Sequence, residues 1–112
     1  MGEYWEKLTK LPIPLGTIVI NKRIPTDVAL KVNRIIKRSL DYAYDYSLAS
    51  FDFVRANAQE MDTTVMNKHI KMFVNRFSLN LGKDGKKSIS ELFRIAVQKG
   101  IIPGMPERIF LT

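Results

Sequence analysis

His69, the single histidine of this sequence, is of the residue type best suited to acid–base work at neutral pH and is therefore the first candidate for such chemistry. It stands four residues after Val65 and four before Phe73, on or beside an apolar helical stripe, where a hydrogen-bonded core or boundary role is the simpler account. Glu60 and Asp62 are close in sequence but flank a helix start, where acids offset the positive end of the helix dipole. The run Gly82-Lys83-Asp84-Gly85-Lys86-Lys87-Ser88 has the glycines and lysines that suit an anion at helix amides. It lacks the spacing and the preceding buried strand of a phosphate loop, so a capped, solvated turn is expected. The rings of Tyr42, Tyr44, Tyr46, Phe51 and Phe53 could stack bases, but they surround a corner between helices and read as packing. The sequence contains no G-x-S-x-G elbow and no H-E-x-x-H.

Composition narrows the choice further. Cysteine is absent, which removes disulfide scaffolds, thiolate zinc sites and cysteine nucleophiles, and a single histidine argues against a zinc site of several imidazoles. No cofactor or metal is therefore expected. The 112 residues are 46% hydrophobic and 26% charged, ordinary values for one globular domain. The 18 basic and 11 acidic side chains leave a net charge of +7, which raises the question of a nucleic-acid partner. Residues 1–56 carry nine basic and six acidic groups and residues 57–112 carry nine and five, so no polybasic tail exists. Such an even spread reads as a solvated surface rather than a nucleic-acid footprint. No apolar run approaches the roughly 20 residues of a membrane span. The start, Met1-Gly2-Glu3-Tyr4-Trp5-Glu6, lacks a signal peptide's basic and apolar regions, and a cytoplasmic protein is expected.

The elements that must position these groups are mostly helical. Trp5, Leu8 and Leu11 have the spacing of one or two helical turns over Tyr4–Leu11. Pro12-Ile13-Pro14-Leu15-Gly16 follows as a stiff connector, because each proline fixes its own φ and restricts the residue before it. Thr17-Ile18-Val19-Ile20 reads as a short buried strand. Pro25 and Asp27 open a helix to about Tyr44, whose stripe is Val28, Val32, Ile35, Ile36, Leu40 and Ala43. A shorter helix is expected over 47–58. Asp62-Thr63-Thr64 then offers an N-cap to a stripe from Val65 through Met66, His69, Ile70, Phe73, Val74 and Phe77. The last helix is expected from Gly85 to Lys99, with Ile89, Leu92, Phe93 and Ala96 inward and Gly100 as a left-handed cap. Four helices leave the one strand with unpaired backbone on both edges. Either it pairs with something outside this chain, or the chain dimerises through it, or it is not a strand. The chain reads as part of something larger.

Trp5-Glu6-Lys7-Leu8-Thr9, Pro12-Ile13-Pro14-Leu15-Gly16 and Ile18-Val19-Ile20 together resemble the W-E-x-x-T-G-L-P-L-P-L-G stretch of the 1,4-dihydroxy-6-naphthoate synthases. The resemblance continues through Ser39-Leu40-Asp41-Tyr42-Ala43, Ala58-Gln59-Glu60-Met61-Asp62, His69-Ile70, Phe73-Val74-Asn75, Phe77-Ser78-Leu79-Asn80-Leu81-Gly82 and Gly85. It runs over nearly the whole chain in the family's order. Lys10 departs from it, standing where the family usually has glycine. The resemblance implies the C-terminal part of a lyase of the futalosine route to menaquinone, acting on cyclic dehypoxanthinyl futalosine. It also implies a two-lobed α/β fold like the type II periplasmic binding proteins, of which this chain would supply a mostly α portion. Residues 1–16 would be a connector with the lobe crossover, and residues 17–112 the C-terminal part of the first lobe. The family's base is a histidine upstream of the tryptophan motif; no residue here matches it, and His69 does not inherit its role. No catalytic residue is assigned, and the chain is expected to be inactive alone. Pro12, Pro14, Leu15 and Gly16 are the candidates for the substrate cleft or its hinge, because a rigid, small-residue connector brings backbone close to a ligand. A purely structural crossover is the competing account of them.

Other readings stand beside this one. A chorismate dehydratase-like member of the same superfamily shares fold and pathway, although Leu-Pro-Ile-Pro-Leu-Gly and Phe-Ser-Leu-Asn-Leu-Gly favour the naphthoate synthase. A stand-alone basic helical module would use its charge on an acidic partner or nucleic acid, and a third possibility is a homodimer formed through the strand and helix faces. The expected partner is a small-molecule substrate together with the rest of the enzyme, with no membrane and no nucleic acid.

Overall fold

A computed structural model describes residues 1–59 and 62–112. They fall into two compact units, Met1–Val19 with Asn80–Thr112, and Ile20–Leu79. Six helices are found among the described residues, where four were expected, and no strand. None is long and apolar enough to cross a membrane.

The first unit holds α1 (Gly2–Thr9) and α6 (Gly82–Gln98). Its buried side chains are Trp5 and Leu11, from α1 and the turn after it, and Ser88 from α6. α6 begins three residues before the expected start, at Gly82, whose φ is 59° and whose N–H donates to Asn80 Oδ1 at 3.0 Å. Its far end follows the expected glycine cap. Gly100 has φ 69°, its N–H donates to the Val97 carbonyl, and Ile101 N–H donates to the Ala96 carbonyl. These are the paired bonds of a Schellman motif, which left-handed glycine permits without steric cost.

In the second unit, α2 (Thr26–Asp45) is followed by α3 (Phe51–Asn57), α4 (Thr63–Phe73) and α5 (Arg76–Leu79), with α5 packed on α2. Pro25 lies at the N-cap of α2 rather than inside its first turn. The Asp62 carboxylate caps α4 as expected, accepting from Val65 N–H at 3.0 Å. The expected role of Glu60 at this helix start lies outside the described residues. The stripe taken to run on to Phe77 is cut after Phe73. Asn75 Oδ1 accepts from Phe77 N–H, Ser78 Oγ accepts from Asn75 N–H, and the two side chains together restart the chain as α5. This is a variant of the capping box, with the asparagine bonded to the second residue of the helix and serine in the place of the usual acid or amide.

The strand expected at Thr17–Ile20 does not form. Residues 12–20 are neither helix nor strand, and Ile18 and Val19 are 72% and 83% exposed. A strand is defined by its partner's hydrogen bonds, and no described segment offers them. Burial also departs from the periodicity. In α2 the buried residue is Ala29, while Val28, Val32 and Ile35 of the apolar stripe are exposed. In α6 the buried residues are Gly85 and Ser88, and Leu92 is exposed.

Candidate functional site

The local sequence around the two prolines explains how the connector is held. α1 is closed by Lys10, whose φ of 59° is left-handed and whose N–H donates to the Glu6 carbonyl at 2.9 Å. A left-handed lysine costs about 1 kcal/mol that glycine would not. The Thr9 hydroxyl donates to the Trp5 carbonyl at 2.8 Å and accepts from Leu11 N–H at 3.2 Å, which staples the turn. The chain then doubles back along α1: a Cβ on Gly2 would stand 3.8 Å from Ile13 Cγ2. This reversal brings the Pro12 carbonyl over Trp5, and the indole Nε1–H donates to it at 3.1 Å.

A second donor reaches the same oxygen from the other helix. Ser88, 76 residues later, gives its hydroxyl to the Pro12 carbonyl rather than to a carbonyl of its own helix. Ser88 is 2% exposed, the most buried side chain described. Gly85, one turn earlier and on the same face of α6, is also buried. Small side chains at this pair of positions leave room for a backbone to lie against the helix. Among the described residues no buried side-chain polar atom is left without a partner.

The four cleft or hinge candidates take different places along this path. Pro12 and Pro14 are half-buried, whereas Leu15 is 57% exposed and Gly16 is exposed with open space where a Cβ would stand. The connector is therefore anchored at its first proline and free at its glycine. Ser88 was not among the residues singled out from sequence. Its signal was slight, a small residue three positions after Gly85, inside a run read as a solvated turn. That run is instead the first turns of α6. Lys86 donates to the Thr112 main-chain oxygen and holds its ammonium 5.6 Å from the Phe110 ring.

The second unit holds the other residues with chemical potential. His69 is exposed rather than in a core, with its ring 4.5 Å from that of Phe73. The Tyr42 and Tyr46 rings lie 4.7 Å apart and, with Asp45 and Ser47–Ala49, line an open depression of about 500 Å³. The Tyr44 hydroxyl donates to the Val74 carbonyl at 3.0 Å, but Tyr42, Tyr44, Tyr46 and Phe53 are exposed rather than packed as expected. No group of three His, Asp or Glu side chains among the described residues is placed to hold a metal ion. The resolved electrostatic perturbation is on α6. Arg94 Nε donates to Glu91 Oε2 at 2.8 Å, and that bond holds the Glu91 carboxyl below its ordinary range and the guanidinium above its own.

Known proteins resemble this chain along most of its length. A synthase of Thermus thermophilus, named 1,4-dihydroxy-6-naphtoate synthase, is 32% identical over 111 residues, covering 99% of this chain and 41% of its own. The enzyme of the same name from Streptomyces coelicolor is 37% identical over 105 residues, covering 94% of this chain and 37% of its own. The chain thus spans about two fifths of the length of these curated relatives. No solved structure matches it. A family model described as menaquinone biosynthesis matches residues 1–98, and the chain belongs to that family.

Proposed function

We propose that these residues are the C-terminal portion of a lyase that converts cyclic dehypoxanthinyl futalosine to 1,4-dihydroxy-6-naphthoate in menaquinone biosynthesis. The observation that carries the reading is the near-complete match of this chain to two enzymes of that name, across 99% and 94% of its length. Such a reaction needs a base to remove a proton beside a carbonyl and a cleft that holds the reacting geometry. The base comes from the family region not represented here, and this chain contributes shape. In this reading residues 1–16 form the connector and lobe crossover of a two-lobed fold, and residues 17–112 belong to the first lobe. Pro12, Pro14, Leu15 and Gly16 border the substrate cleft or its hinge. The protein works in the cytoplasm with a small-molecule substrate and no resident cofactor.

The exposure of Ile18, Val19 and the α2 stripe supports an incomplete fold, since apolar residues of this number are ordinarily covered. The test is turnover by the complete enzyme, this chain joined to the remaining family region. Release of 1,4-dihydroxy-6-naphthoate from cyclic dehypoxanthinyl futalosine, with no dehydration of chorismate, is expected. Turnover of chorismate instead would replace this reading with the dehydratase one.

A further inference from the structure

The Pro12 carbonyl is the point at which the connector is held, and the reason is chemical. Pro12 and Pro14 have no N–H, so over residues 12–14 the backbone can donate only from Ile13. Acceptors therefore outnumber donors along this stretch, and the Pro12 oxygen takes donors from two different elements, Trp5 Nε1 and Ser88 Oγ. A carbonyl oxygen has two lone pairs, and both are in use. Beyond it the prolines restrict residues 11 to 14 to a narrow range of backbone conformations, which makes the segment stiff. A stiff segment transmits the direction set at its anchor. At about 3.1 Å per residue of extended proline-rich chain, a tilt of about 10° at Pro12 displaces Leu15 by about 1.6 Å. Productive site geometries tolerate about 0.5 Å.

We infer that Ser88 is a positioning residue: with the Trp5 indole it clamps the Pro12 carbonyl and so sets where Leu15 and Gly16 present themselves to substrate. The inference rests on the proposed placement of residues 12–16 at the cleft or hinge. Its sequence logic is the small-residue face of α6. Gly85 is buried on that face, and a serine one turn on supplies the hydroxyl that reaches the Pro12 carbonyl. Close approach alone would be met by alanine at this 2% exposed position; the serine adds the hydroxyl that makes the bond.

The test uses the complete enzyme and steady-state kinetics on cyclic dehypoxanthinyl futalosine, with the melting temperature of each variant recorded beside them. Ser88→Ala removes one donor and Trp5→Phe removes the other. Each is expected to change KM, kcat or both by about tenfold or more at a temperature where the variant is fully folded. The double variant is expected to be non-additive, because both donors act on one oxygen. Kinetic constants within twofold of wild type in folded Ser88→Ala overturn the inference, whatever happens to the melting temperature. If Ser88→Ala does not fold, Trp5→Phe decides by the same criterion, and loss of folding in both assigns the clamp a structural role and overturns it as well. An inactive wild type, by contrast, refutes the proposed function itself.

Discussion

The two units of this chain solve the problem of order in opposite ways. In the unit containing α1 and α6, tryptophan, leucine and serine side chains are buried around one peptide carbonyl, and a bond spanning 76 residues closes it. In the unit containing α2 to α5, the 20-residue α2 buries Ala29 alone, and α4 buries Met66 alone. Most of the described side-chain bonds there are local, such as the cap from Asp62 to Val65, the cap from Asn75 to Phe77 and the Lys37–Asp41 pair. The difference teaches that an apolar stripe specifies a helix before it specifies a core. Periodicity dictates which face is apolar, and burial waits for a partner.

The largest effect that would sharpen this comparison is Trp5→Ala, which removes both the buried ring and a donor to Pro12. It is expected to cost about 3–5 kcal/mol in denaturant unfolding. Val32→Ala, in the stripe of α2, is expected to cost little in the 112-residue chain because Val32 is 39% exposed. If a neighbouring region covers that stripe in the complete enzyme, as the proposed function implies, the same change should cost about 1.5 kcal/mol there. Equal costs for Val32→Ala in both settings would break the comparison. Asp62→Ala removes the α4 cap and should cost about 1 kcal/mol, read from the urea midpoint.

Lys10→Gly tests the turn before the connector. It relieves a left-handed lysine but adds unfolded-state entropy, so a gain of up to about 1 kcal/mol is expected. A loss would show that the lysine side chain is needed where it stands. The smallest effect belongs to Glu91 and Arg94. The bond to Arg94 lowers the Glu91 carboxyl below its unfolded value, so its contribution is present above the unfolded pKa and fades as pH falls through the folded one. Both side chains are on the surface, and salt screens the pair. Glu91→Gln should leave neutral-pH stability nearly unchanged and slightly flatten the acid limb of a melting-temperature profile.

Much of the helical frame was legible because its signals are local. The α2 stripe with Pro25, the Asp62 cap and Gly100 beyond α6 each depend on residues within a turn or two. The break at Asn75 carried a signal too, an asparagine three residues before a serine, but the continuous apolar stripe from Val65 to Phe77 outweighed it. Non-local features were not legible. Thr17–Ile20 has strand composition, yet pairing needs an edge that the described residues lack. Ser88 lies 76 residues from Pro12, and nothing in either segment announces the other. The prolines and glycine of the connector could be named from sequence, whereas its anchor could not.

Under the proposed function, activity belongs to this chain together with the rest of the family fold. The direct measurement is release of 1,4-dihydroxy-6-naphthoate from cyclic dehypoxanthinyl futalosine by three preparations: this chain, the remaining family region, and the two joined. Product from the joined protein and from neither part alone is the predicted result. Turnover by the 112-residue chain alone, or none by the joined protein, would contradict it.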